Sequence, residues 1–175
     1  MNNPEPTQLV GTAAVAAALE VNRAGAQAIL SAELAGETFK DDRGGLLARA
    51  EDIADLATWR RIEPSRRALQ VKVAAAVWSE SEGRWRGWHR RLSQDQRRDG
   101  VRGWWAVRDP DALKGADFLA TLGGFVVEVA RIVDYENGFG KRNFTLDEPD
   151  EAAQELYRSA RIPAQAGSVI GLWHI

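Results

Sequence analysis

Apolar residues fall into two regimes along the chain. Up to about residue 59 they recur at intervals of three and four. From residue 68 they alternate or run together between glycine-containing turns. The first regime predicts amphipathic helices and the second predicts strands.

The stretch TAAVAAALEVNRAGAQAIL, Thr12 to Leu30, predicts two short helices. Thr12 is a natural N-cap, and the alanine run after it favours helix. Val15, Ala18 and Leu19 share a face. Glu20-Val21 breaks the run. Asn22 is a second N-cap, and the helix from Arg23 to Leu30 turns Ala26, Ile29 and Leu30 inward. In GETFKDDRGGLLARAEDIADLATW, Thr38-Phe39 reads as a strand and Lys40 to Gly45 as a turn. Leu46-Leu47 reads as the return strand, and Glu51 to Trp59 as a helix with Ile53, Leu56 and Ala57 on one face.

The second regime predicts a strand from Ala68, with Leu69, Val71, Val73 and Ala75 alternating, although the alanine run leaves a helix open there. A turn at Ser79 to Gly83, a helical turn at Ser93 to Arg98 and a strand at Trp104 to Val107 follow. Phe118 to Leu122 and Phe125 to Tyr135 are strands joined by Gly123-Gly124, a pair suited to a tight hairpin. Asn137 to Gly140 is a turn and Asn143 to Leu146 a strand. Asp150 to Ala160 is a helix with Ala153, Leu156 and Tyr157 inward, and Val169 to Ile175 is a last strand. The expected fold is α+β. It has a helical unit over 1–59, a linker at 60–67, where Arg60 to Arg67 is polar and holds Pro64, and a small antiparallel β-barrel-like unit with a late helix over 68–175.

Charge sharpens this division. The net charge is −2. Residues 1–60 carry five basic and nine acidic side chains, residues 61–108 twelve and five, and residues 109–175 six and eleven. A band of +7 therefore lies between two acidic flanks, and all but one of its cations are arginine. Arginine forks onto phosphate and stacks on rings, so the band is a candidate nucleic-acid footprint. Its densest part is GRWRGWHRR, residues 83–91. Arg84, Arg86, Arg90 and Arg91 there are candidate phosphate ligands. Trp85 and Trp88, with Trp104 and Trp105 further on, are candidates for base stacking or a pocket. Packing of the same tryptophans between domains is the competing reading. If Trp104 and Trp105 lie in one strand, they face opposite ways.

The sequence offers little enzyme chemistry. There are no cysteines, so no disulfide, thiolate metal ligand or cysteine nucleophile exists. His89 and His174 are far apart and lack short-spaced partners, so no metal or cofactor is expected. DEPDE, Asp147 to Glu151, reads as a helix cap. The glycine pairs lack the lysine of a phosphate loop. No segment approaches a membrane span, and the start, MNNPEPTQLV, lacks signal-peptide character. The expectation is a cytoplasmic, non-enzymatic protein, with an oligomer left open.

Residues 8–59 resemble the MerR-like and excisionase-type winged helix-turn-helix family, on VAAALEVNRAGAQAIL and LLARAEDIADLA. The resemblance implies a transcriptional regulator that binds duplex DNA. Asn22, Arg23 and Gln27 would lie at the groove, and Arg43 would reach from the wing. Glu20 departs from the pattern, standing where the turn commonly has glycine. Residues 68–175 resemble, on shorter motifs, the PUA, ASCH and EVE group of small β-barrels. These motifs are GWWAV, FLATLGGFVVEVARIVDYE, RNFTL and RIP after the late helix. That likeness implies, as an alternative, a reader of RNA or of a modified base. A further alternative is a non-catalytic accessory subunit of a nucleic-acid-processing or defence system.

Overall fold

Both regimes form the expected classes of element, and the whole is α+β. The structure, a computed structural model, describes residues 7–162 and 168–175; residues 1–6 and Pro163 of the RIP motif lie outside it. The first elements are β1 (Leu9–Gly11), α1 (Thr12–Leu19), α2 (Arg23–Ser31), β2 (Thr38–Lys40), β3 (Leu46–Arg49) and α3 (Ala50–Ala57). Gly11, not Thr12, is the N-cap of α1. Thr12 is the first helical residue, and its hydroxyl donates to Gln27 at 3.2 Å. Glu20 ends α1 in the left-handed region, φ 52° and ψ 47°, at a steric cost of roughly 1 kcal/mol for a non-glycine residue. Its carboxylate is held by Arg61. Asn22 caps α2 as expected, accepting the Gly25 N–H at 2.7 Å, and Ala26, Ile29 and Leu30 are buried.

The hairpin forms around Asp41, whose carboxylate accepts the N–H groups of Arg43 and Gly45 at 2.8 and 2.7 Å. β1 adds to it antiparallel, giving the order β1-β3-β2. α3 buries Ile53 and Leu56 but leaves Ala57 exposed. It stops short of Trp59, whose ring instead meets Phe125 edge-on at 5.7 Å.

The remaining elements are β4 (Arg60–Arg61), β5 (Ala68–Lys72), β6 (Val77–Ser79), β7 (Arg84–Arg86), α4 (Gln94–Val101), β8 (Asp117–Leu122), β9 (Phe125–Gly138), β10 (Lys141–Asp147), α5 (Glu151–Tyr157), β11 (Ala160–Arg161) and β12 (Ile170–Trp173). The main sheet runs β12-β5-β8-β9-β11-β4, and β10 also pairs with β9. It differs from the expected antiparallel barrel in two ways. It is curled but open, with β12 and β4 at its ends. It is also mixed, since β5 runs parallel to β8 and β4 to β11. The β6–β7 hairpin and α4 form the crossover that a parallel β5–β8 pair requires.

Arg84–Arg86 within GRWRGWHRR forms β7, paired antiparallel with β6. Two local expectations change. Trp104 to Val107 is not a strand and makes a single bridge, Trp105 to Arg142. The late helix ends at Tyr157, and Ala160 belongs to β11.

Alternate residues of the central strands feed two interiors. Leu69, Val71, Phe118, Ala120 and Leu122 join Val15, Leu19, Ala26, Ile29 and Leu30 from the first helices. Ala68 and Leu119 face the other way, against Ala153 and Tyr157 of α5. Residues 60–67, expected as a linker, contain β4, and the Arg60 and Ile62 N–H groups bond to Ser159 and Arg161 carbonyls at 2.9 Å. The helices therefore pack directly on the sheet, along one continuous core.

That contact is close at the β8–β9 turn. Gly123 is left-handed, φ 61°, and a Cβ there would lie 2.9 Å from Ile29 Cδ1 and 3.5 Å from the Gly25 carbonyl oxygen. Gly44, at the hairpin turn, has φ 79° but open space around it. Gly44→Ala should cost roughly 1–2 kcal/mol, the backbone penalty alone. Gly123→Ala should cost about 1–3 kcal/mol more, from overpacking. Urea denaturation of the two variants checks this, and equal losses would mean that α2 does not press on the turn.

Candidate nucleic-acid interface and the adjoining cavity

Arg23 and Gln27 stand one helical turn apart on the solvent side of α2, and both are exposed. The amide of Gln27 accepts from Thr12 at 3.2 Å and donates to Ser31 at 3.3 Å, so its plane is held. Asn22 is exposed, but its side-chain oxygen is engaged in the cap. Arg43 is exposed in the turn between β2 and β3.

The basic band is extensively neutralised by the protein's own acids. Arg91 forks onto Glu33 at 2.6 and 2.8 Å. Arg98 forks onto Glu148 at 2.7 and 3.1 Å. Arg66 grips Asp150 at 2.8 and 2.6 Å and meets Asp117 at 3.0 Å. These carboxylates come from the flanking acidic segments. Within the band, Arg84 binds Glu82 at 2.7 Å, and Arg86 lies 3.6 Å from the same glutamate. Of the four candidate phosphate ligands, Arg90 has no carboxylate within ion-pair distance among the described residues; Arg84, Arg86 and Arg91 do.

The candidate tryptophans are dispersed. Trp85 lies opposite Trp78 across the β6–β7 hairpin, ring centroids 5.6 Å apart and edge-on, with Trp78 47 % exposed. Trp88 is 5 % exposed and belongs to the main core, with the Arg97 guanidinium 5.6 Å from its ring centre. Trp104 is half-buried beside Gly138, where a Cβ would come within 2.7 Å of its ring. Trp105 is half-buried and donates to the Val101 carbonyl at 2.9 Å. No strand runs through 104 and 105, so the expected split into one inward and one outward ring does not arise.

A carboxylate that sequence reasoning did not single out lies under α4. Glu128 on β9 is buried, with Arg97 and Arg98 at 3.9 and 4.0 Å. Burial pushes its carboxyl up to about 7, against the pull of the two arginines.

A second missed feature is a cavity of about 510 Å³ between α2 and the sheet. Asn22, Ala24 and Gly25 from the start of α2 form one wall. Lys72 and Val73 and the Gly123-Gly124 turn form another, and Arg61 and Arg161 flank it. No tryptophan lines it. Its residues come from five separate segments, and no local motif marks them. No group of acids and histidines among the described residues could hold a metal ion, and no described helix is long and apolar enough to cross a membrane. Comparison of the chain with protein-family models, curated proteins and solved structures finds no match.

Two measurements follow from this geometry. Trp88→Ala should destabilise the fold by about 3–5 kcal/mol, as loss of a core aromatic does, whereas Trp78→Ala should cost roughly 1 kcal/mol, the scale of one aromatic pair. Similar melting temperatures for the two would place Trp88 at the surface. Glu128 binds its proton more tightly folded than unfolded, so its contribution to stability is full below the ordinary value of 4.5 and is lost as pH rises toward 7. Glu128→Gln should remove on the order of 3 kcal/mol of pH dependence over that range, read as a flatter profile of unfolding free energy against pH.

Proposed function

We propose that the chain binds duplex DNA through α2, in the manner of a winged helix-turn-helix, and acts in transcriptional regulation. The observation that carries this reading is the division of α2. Its buried side packs on the core and the Gly123 turn, and its outer side presents Arg23 and Gln27 to solvent. The order helix, turn, helix, hairpin, helix supports it, as does Arg43 at the hairpin turn. A helix entering the major groove reads base edges with side chains of these kinds.

The ion pairs limit the electrostatic part of the interaction. Because most of the basic band already faces carboxylates, few phosphate contacts are expected from it, and binding should depend on salt less steeply than twelve cations would suggest. The alternative reading, a base pocket walled by tryptophan, draws less support because the rings lie in different parts of the fold.

Selection from a randomised duplex pool tests the proposal. One sequence class should be enriched, and Arg23→Ala with Gln27→Ala should lose about 1–3 kcal/mol of discrimination for each base contact removed, with an unchanged melting temperature. Absence of enrichment, or equal discrimination by the double variant, would reject α2 as a reader.

A further inference from the structure

The cavity beside α2 brings like charges together in an unusual way. Arg61 on β4 and Arg161 on β11 are register partners in a parallel pair. Like charges directly opposite one another across strands are destabilising. Both residues line the cavity, and Lys72 from the end of β5 lines it as well. Among the described residues, the one acid in the wall is Glu20, which binds Arg61. Arg161 has no carboxylate within ion-pair distance among the described residues. It donates to the Leu19 carbonyl and lies over the Phe125 ring at 4.3 Å. Burial and the neighbouring Arg61 charge both lower the pKa of its guanidinium.

The rest of the wall divides by chemistry. At one end α2 begins. Its first-turn N–H groups point away from the helix body, and Asn22 satisfies only that of Gly25. Val21, Ala24, Ala28, Val73 and Ala74 supply small apolar surface. The volume lies within the range of small-molecule sites, and it exceeds what an inorganic ion would fill.

We propose that this cavity binds a small phosphorylated organic molecule of nucleoside-monophosphate size, with Arg61, Arg161 and Lys72 around the phosphate and the organic part against Val21, Ala24 and Val73. The phosphate would stand between the two arginines and relieve their repulsion, at a helix start that favours anions. The site is separate from the outer face of α2, and the proposal does not depend on DNA binding.

Titration of the full chain with AMP, GMP, CMP and UMP, with inorganic phosphate and with the four matching nucleosides, followed by ¹H–¹⁵N spectra, tests it. At least one monophosphate should shift the amides of Ala24, Gly25, Gly123 and Gly124 saturably, while its nucleoside does not. Lys72→Met should weaken that binding about ten-fold, the scale of one charged hydrogen bond. Ala24→Leu, at an exposed position, keeps every charge and narrows the apolar wall. It should weaken nucleotide binding while leaving inorganic phosphate competition unchanged, which covers the case of a Lys72 variant that fails to fold. The proposal is overturned if no monophosphate moves these amides at millimolar concentration, if only inorganic phosphate does, or if both folded variants bind as the parent does.

Discussion

Gly123 lies so near α2 that one added methyl group would meet Ile29. This approach sets the position of the first helices on the sheet. With a side chain at 123, Ile29 and the backbone of Gly25 would have to withdraw, and the apolar seam from Val15 through Leu30 to Leu122 would open with them. The same contact fixes both sides of α2. The residues that face the turn hold the helix down, and the residues on the opposite side are left to solvent. The cavity lies along this line of contact, so its width follows from how closely the two glycines meet.

The charge pattern has a structural explanation before it has a functional one. An arginine-rich middle and two acidic flanks read, along the chain, like a surface awaiting an anionic partner. In the fold, Glu33 reaches Arg91, Glu148 reaches Arg98, and Asp117 and Asp150 reach Arg66. Glu33 and Asp117 are buried, so part of the attraction in their pairs is offset by the cost of taking a carboxylate out of water. The larger effect of the pairs is to lower the local potential, so that the band is far less basic in space than in sequence. Arg61 and Arg161 stand out against this background, because among the described residues they have a single carboxylate between them, that of Glu20.

Local chemistry explains what the sequence made legible. The Asn22 cap, the alanines of α1, the inward set Ala26, Ile29 and Leu30, the Asp41 turn and the glycine hairpin at 123–124 all depend on neighbours within a few residues. Each is found in the structure at or near its expected place. What the sequence hid depends on distant neighbours. β5 is buried on both faces because β8 and β12 flank it and two layers cover it, and alternation alone cannot say so. Trp88 looked like surface because arginines surround it in sequence, yet it bridges to Ala75, lies in the main core and has Arg97 of α4 over its ring. The parallel pair of Arg61 with Arg161 and the cavity they border join positions separated by most of the chain. Of the candidate interface, the outer face of α2 was readable from helical spacing, whereas the neutralisation of Arg84 and Arg91 was not.

The placement of β5 has a further consequence, for the order of events in folding. Its two partners are β8, about fifty positions later, and β12, about a hundred positions later. Loops of that length must close before either ladder can form, and such topologies fold slowly. Until the segment around residue 170 has been synthesised, one edge of a strand that is buried on both faces in the finished fold is bare. A nascent chain in that condition is a substrate for chaperones and for self-association. Yield from rapid expression should therefore be governed by how long β5 waits for its second neighbour, more than by the final stability of the fold.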